Sequence, residues 1–306
     1  MTLTKGIGSI VTETIGPFKN LVLDDGLNAL AANEFDAWVL YCHVGVGSTP
    51  VSPANDGVDQ PVASTNNVID TSLSTKGLPP YYSQRVKTWR FAAGTFNNHQ
   101  ISEVAFTNTA VNELAFSRAL VKDTLGNFTS SWIRSDEWLD VTYDFRLYPQ
   151  FINTDGTLND GTGTIVISES AYNYTIRPSN VTTLAYWDAS KATAKSMAVS
   201  GDYMCGYTST STLGLVTNQP TTPTGDNATS TNATFANLAY TPQTFYRDIT
   251  YSLGPYALNS SGGLGAIRFH TGFGAYQMSF SPPVPKWYDT MVFRATLAWG
   301  NVDVIA

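Results

Sequence analysis

Trp138-Leu139-Asp140-Val141-Thr142-Tyr143-Asp144-Phe145-Arg146-Leu147-Tyr148 is the stretch on which the fold turns. Its odd positions, Leu139, Val141, Tyr143, Phe145 and Leu147, are apolar, whereas Asp140, Asp144 and Arg146 stand at even ones. Side chains alternate across a strand, so this period puts one face in a core and leaves the other wet. Such strands belong to antiparallel sandwiches. Working outward, Val86–Phe91, Ile101–Phe106 and Leu114–Leu120 carry strand signals before it. After it come Thr164–Ile167, Tyr172–Pro178, Tyr246–Leu253, Gly265–Phe269, Ala275–Phe280 and Met291–Trp299. The expected fold is all-β, an antiparallel β-sandwich architecture in two β domains or halves.

Near the N-terminus the pattern changes. Asn20–Ala32 predicts the one convincing helix, with Leu27, Leu30 and Ala31 at helical spacing and Asp24 or Asp25 as the cap. Ala37–Val44 follows as an apolar run of strand length. From Gly45 to about Pro80 the chain is rich in Pro, Ser and Asn and reads as a surface excursion with short strand pieces. Pro149 and the turn-rich run Asn153–Gly161 set the expected division, an N-terminal β-sandwich domain over 1–150 and a C-terminal β domain over 151–306. Residues 208–238, dominated by Thr, Ser, Asn and Gly, read as a long loop or arm.

Composition narrows function. Charged residues make up 13% of the 306, against about 25% in a typical soluble domain, so neutral polar groups must build the surface. A net charge of −7, with basic residues scattered singly, argues against a nucleic-acid partner. No apolar run approaches the roughly 20 residues of a spanning helix, so no membrane insertion is expected. Met1–Gly6 lacks the apolar core of a signal peptide, and Cys42 and Cys205 read as reduced, buried thiols.

Candidate chemistry is sparse. His43, His99 and His270 have no metal-ligand spacing. Gly45-Val46-Gly47-Ser48 is followed by prolines rather than a helix, which excludes a phosphate loop. Glu103, Glu113, Asp136 and Glu137 are the proposable paired carboxylates, yet no pair stands out. Asp155–Gly161 offers oxygen ligands in a turn but lacks the spacing of a Ca²⁺ loop, and an ordinary turn is expected. Neither an enzyme nor a cofactor is expected. The remaining signal is aromatic: Tyr81, Tyr82, Tyr186, Trp187, Trp287 and Tyr288 stand in or beside loops, as protein-interface or glycan contacts.

Several patches, in order, carry a resemblance. They are Asn20–Leu30, Val44–Pro50, Asn55-Asp56, Ile101–Val104, Leu114–Leu120, Glu137–Tyr143, Tyr276–Lys286 and Leu297–Gly300. Together they resemble structural tail proteins, of the tail-fibre or tail-tip type, of tailed bacteriophages. Val46 departs from the Gly-Thr-Gly-Ser-Thr of typical members. The resemblance implies a non-enzymatic structural protein of the virion, in a tail fibre, tip or collar, assembled in the host bacterial cytoplasm. It implies a homo-oligomer in contact with other virion structural proteins. The alternatives it leaves are a receptor-binding module recognising a host cell-surface glycan and a capsid decoration protein.

Overall fold

The computed structural model describes residues 1–153, 157–167, 170–195, 204–220, 229–231, 234–255, 260–286 and 290–302. Strands dominate, and the sheets are antiparallel wherever their register is defined, so the chain is all-β. It divides into two units. The first comprises Met1–Leu73, Arg85–Phe145 and Trp299–Asn301; the second comprises Ser74–Gln84, Arg146–Ala298 and Val302–Ala306.

In the first unit the chain begins with β1 (Thr2–Ile7), β2 (Ile10–Ile15) and β3 (Leu21–Val22). Helices α1 (Asp24–Ala32) and α2 (Phe35–Trp38) come next, then β4 (Tyr41–Gly45), β5 (Pro61–Thr65), β6 (Val68–Thr75) and β7 (Ser83–Phe91). β8 (His99–Ile101), β9 (Glu103–Thr107), β10 (Ser117–Leu120), β11 (Ser131–Ile133) and β12 (Trp138–Leu147) complete it. Two five-stranded sheets form, in the orders β2-β1-β12-β7-β6 and β3-β10-β9-β4-β5, with a small β11-β8 pair. Leu3, Trp89, Leu139, Val141 and Tyr143 of the first sheet are buried, as are Cys42, Val44, Val104, Phe106 and Ala119 of the second. The rings of Trp89 and Phe106 stand 4.8 Å apart, and those of Phe106 and Tyr143 stack at 4.5 Å. Aromatic contact across the two sheets is what makes this unit a sandwich.

The deciding strand forms as read, over Trp138–Leu147, with its odd positions from Leu139 to Tyr143 buried. Its even face is drier than expected. Asp140 is buried because Arg90 grips it twice, Nε to Oδ1 and Nη2 to Oδ2, each at 2.7 Å, and Thr142 bonds Thr88 at 3.0 Å. A bidentate guanidinium satisfies a carboxylate well enough for alternation of polarity to stop reporting exposure.

The N-terminal helix also differs in detail. Leu23 occupies the N-cap without a side-chain cap, and Asp24 and Asp25 lie inside the first turn, where the positive end of the helix favours them. The run Ala37–Val44 is not one strand: Phe35–Trp38 makes a helical turn and the strand starts at Tyr41. Phe35 is fully buried, stacked on Phe145 at 4.1 Å and edge-on to Phe116 at 5.2 Å, and this anchoring outweighs strand propensity.

The second unit holds β13 (Gly161–Ile167), β14 (Ser170–Ser179), β15 (Met204–Thr208), β16 (Thr229–Thr231) and β17 (Thr234–Asn237). It continues with β18 (Tyr246–Leu253), β19 (Ser260–Thr271), β20 (Gly274–Lys286) and β21 (Met291–Ala298). A six-stranded sheet, β13-β14-β20-β19-β15-β16, and a three-stranded one, β17-β18-β21, share a core that includes Tyr251, Leu253, Ile267, Phe269, Phe280 and Leu297. The other face of the larger sheet carries a cross-strand row, Cys205, Arg268, Gln277 and Arg177. The region 208–238 is not simply a loop. It contains two short strands, and its residues 209–220 are tied down by Gln277, whose side chain accepts from the Gly214 N–H at 2.8 Å and donates to the carbonyls of Gly214, Leu215 and Asn218. Residues 221–228 and 232–233 of that region lie outside the described residues.

Both cysteines are free and buried, and burial pushes the Cys42 thiol well above its ordinary value. His43 is a strand residue with a satisfied ring: its Nε2 lies 2.8 Å from Thr107 Oγ1.

Candidate functional site

In the first unit, the loop between β4 and β5 is organised by one buried ion pair. Glu103 on β9 and Arg118 on β10 are both fully buried, with Arg118 Nε and Nη2 donating to Glu103 Oε2 at 3.2 and 2.7 Å. The Glu103 carboxylate also receives the backbone N–H groups of Gly47 at 2.8 Å and of Asp59 and Gln60 at 3.0 Å each. Arg118 reaches Asn55 Oδ1 at 2.9 Å, the Thr49 carbonyl at 3.3 Å and the Asp59 carboxylate at 3.1 Å. Gly45 and Gly47 are required by this approach, since a Cβ on either would stand 2.5 Å from Glu103 Oε1. Charge buried this deeply holds only when it is paired and hydrogen-bonded, and here both groups have several partners. The knot therefore fixes the loop between β4 and β5.

The other acidic candidates do not gather around it. Glu113 and Asp136 are exposed. Glu137 is buried against Lys5 at 3.5 Å and Arg134 at 3.6 Å, and accepts from the Arg134 N–H at 2.8 Å and from Thr12 at 3.3 Å. Burial raises its pKa, but the Arg134 N–H, the two cations and Thr12 prevail and hold the carboxyl below its ordinary value. Among the described residues no three His, Cys, Asp or Glu side chains gather as metal ligands. Asp155 and Gly156 of the candidate Ca²⁺ turn lie outside the described residues; within the rest, Asn159 Nδ2 donates to Asn153 Oδ1 at 2.7 Å and Asp160 pairs with Arg177.

No known family, characterised protein or solved structure matches this chain.

The aromatic candidates fall in different settings. Tyr82 is half-buried in the second unit, with the Arg146 guanidinium 4.8 Å and the Lys76 ammonium 5.5 Å from its ring centre and Tyr148 edge-on at 5.4 Å. Tyr81 and Tyr186 lean on that unit's core, and Tyr186 also lies 5.1 Å from the His270 ring and under Arg268 at 5.2 Å. Trp187 is a correction. It is buried, donates from Nε1 to the Ser179 carbonyl at 2.8 Å and belongs to the core, so it presents nothing to a partner. Trp287 and Tyr288 lie outside the described residues.

Two features escaped the sequence reading. A cavity of about 170 Å³ lies between the two sheets of the second unit, lined chiefly by Ile165, Met204, Ile267, Phe269, Met278 and Phe293. In the first unit, Trp132 is 52% exposed and Phe128 51% exposed, both on an arm leading into and along β11. Ser131-Trp132-Ile133 is too short to show a period, so the sequence held no signal for which way the indole points.

Proposed function

We propose that this chain is a non-enzymatic structural protein of a bacteriophage virion, most consistent with a tail component of the fibre, tip or collar kind. The observation that carries the reading is where the resembling patches go. Val44–Pro50, Asn55-Asp56, Ile101–Val104 and Leu114–Leu120 are distant in sequence, yet all contribute to the one knot around Glu103 and Arg118. Residues that share a resemblance because they build a loop, and not because they catalyse, suit a particle protein. The all-β, neutral-polar build supports the same view, as does the full engagement of Glu103 and Glu137 with donors. Copies of the chain form a homo-oligomer that contacts other virion proteins in particles assembled inside the host bacterium.

The test is immunogold electron microscopy of purified particles, using an antibody raised against the full chain. Gold on the tail is the expected result. Gold spread over the head favours a capsid decoration protein, and particles without label overturn the reading.

A further inference from the structure

We infer that Arg268 holds Cys205 as a thiolate, which makes Cys205 a site of oxidation by small peroxides. This goes beyond the virion assignment and does not depend on it.

In the cross-strand row of the six-stranded sheet, Cys205 on β15 stands directly opposite Arg268 on β19, and Gln277 on β20 flanks Arg268 on its other side. Arg268 is 5% exposed. Its Nη1 donates to Gln219 Oε1 at 2.6 Å and its Nη2 to Cys205 Sγ at 3.4 Å. The Tyr186 ring centre lies 5.2 Å from the guanidinium, and the buried Nε has no acceptor. Among the described residues no carboxylate pairs with it. The other buried cations are answered by acids: Arg118 by Glu103 and Asp59, and Lys87 by Asp36. Arg177, further along the row, pairs with Asp160.

A guanidinium cannot shed its proton, and a buried charge without a counter-charge is costly. The compensation must come from a neighbour that can lose a proton. Those beside Arg268 are Tyr207 on β15, Cys205 and Tyr186. Burial alone would lower the affinity of Arg268 for its proton, yet these three groups hold it above its ordinary value. A thiol ionises at about 8.5 and a phenol at about 10, and of the three only the sulfur accepts a hydrogen bond from the guanidinium. His270, two residues on along β19 and 5.1 Å from the Tyr186 ring, is a further titratable group on this face. Cys42 is the contrasting case. Its thiol is equally buried, its hydrogen-bond partner is the His43 carbonyl at 4.0 Å, and burial pushes it well above its ordinary value.

The thiolate, not the thiol, is the nucleophile. The Cys205 sulfur attacks one oxygen of hydrogen peroxide, an S–O bond forms, the O–O bond breaks and hydroxide leaves. Sulfur is oxidised to the sulfenic acid, and the departing hydroxide takes up a proton to become water. Cys205 is 4% exposed, which restricts the oxidant to a molecule hardly larger than water.

The experiment exposes the folded full chain to hydrogen peroxide for timed intervals and removes the excess with catalase. Dimedone added together with urea then labels sulfenic acid, and peptide mass spectrometry reads Cys205 and Cys42 separately. Cys205 should be labelled and Cys42 spared. The Cys205 rate should stay nearly level between about pH 6 and pH 8, because the thiolate is already formed. Arg268→Met should slow it at least about tenfold, and Arg268→Lys, which keeps the charge, should retain most of it, with melting temperatures establishing that both fold. An unlabelled Cys205 overturns the inference, as does a folded Arg268→Met chain that oxidises at the wild-type rate. If Arg268→Met does not fold, the wild-type profile decides: a rate rising about tenfold per pH unit, as for an ordinary thiol, overturns the inference.

Discussion

Arg118 and Glu103 meet through two hydrogen bonds, at 3.2 and 2.7 Å, with neither side chain reaching solvent. Removing one partner leaves the other charged in the interior. Arg118→Leu should therefore destabilise the first unit by about 3–5 kcal/mol, read as a lowered midpoint in urea. Glu103→Met combined with Arg118→Leu should cost less than the sum of the two single changes. An additive pair would show that the two groups do not act as one.

The same knot makes Gly47 sensitive. A Cβ there would lie 2.5 Å from Glu103 Oε1 and 2.8 Å from the Asp59 Cβ, neither of which can retreat without giving up the Arg118 contacts. Gly47→Ala should destabilise by about 1–3 kcal/mol in the same urea assay. Gly77, beside which nothing stands within 4 Å, should accept alanine with no loss.

His43 and Glu137 each contribute a dependence on pH. Burial holds His43 below its ordinary value of 6.5, against the opposing pull of the Thr109 carbonyl. Its contribution is complete above that value and is lost as the pH falls towards the folded one, because the unfolded chain takes the proton first. Stability should thus decline from pH 7 towards pH 5, and His43→Gln should flatten that slope. Glu137 has the same sign in a lower window, its folded value lying below 4.5. The penalty of Glu137→Gln should be largest above about pH 5 and fade as the wild-type carboxyl protonates.

Phe145 is half-buried, stacked on Phe35 at 4.1 Å with Phe116 edge-on at 6.0 Å. Phe145→Ala should destabilise by about 3 kcal/mol, the low end for this change, because part of the ring is already wet. Phe35→Ala, at a fully buried ring, should exceed it. A silent Phe145→Ala would mean that the ring stack contributes nothing to stability.

The proposed structural role makes a chemical prediction. The purified protein should leave bacterial polysaccharide and peptidoglycan uncut over long incubation, measured as released reducing ends. Cleavage that disappears in Glu137→Gln would refute it.

Strands were legible wherever alternation ran long. Trp138–Leu147 and Tyr246–Leu253 are long enough for a period of two to declare itself. Short apolar runs were not: Ala37–Val44 hides a helical turn, because four residues of either structure look alike in sequence. Burial was least legible at polar positions. Asp140, Glu103 and Arg118 are interior because of partners 50 and 15 residues away, which no local window contains. Trp187 misled for the converse reason, since neighbouring polar residues suggested a loop surface while the indole turned inward to Ser179. Trp132 went unnoticed because nothing beside it distinguishes an indole facing water from one facing a core.

The first unit is completed by residues from the far end of the chain. Trp299 Nε1 donates to the Leu27 carbonyl at 2.8 Å, and Asn301 meets both the N–H and the carbonyl of Val22, across separations of 272 and 279 residues. On a ribosome adding about 5–20 residues each second, Leu27 waits on the order of tens of seconds for that partner. The unit that starts to emerge first thus closes only once Asn301 has been made. Until Trp299 and Asn301 arrive, the Leu27 carbonyl in α1 and the backbone of Val22 in β3 lack these partners.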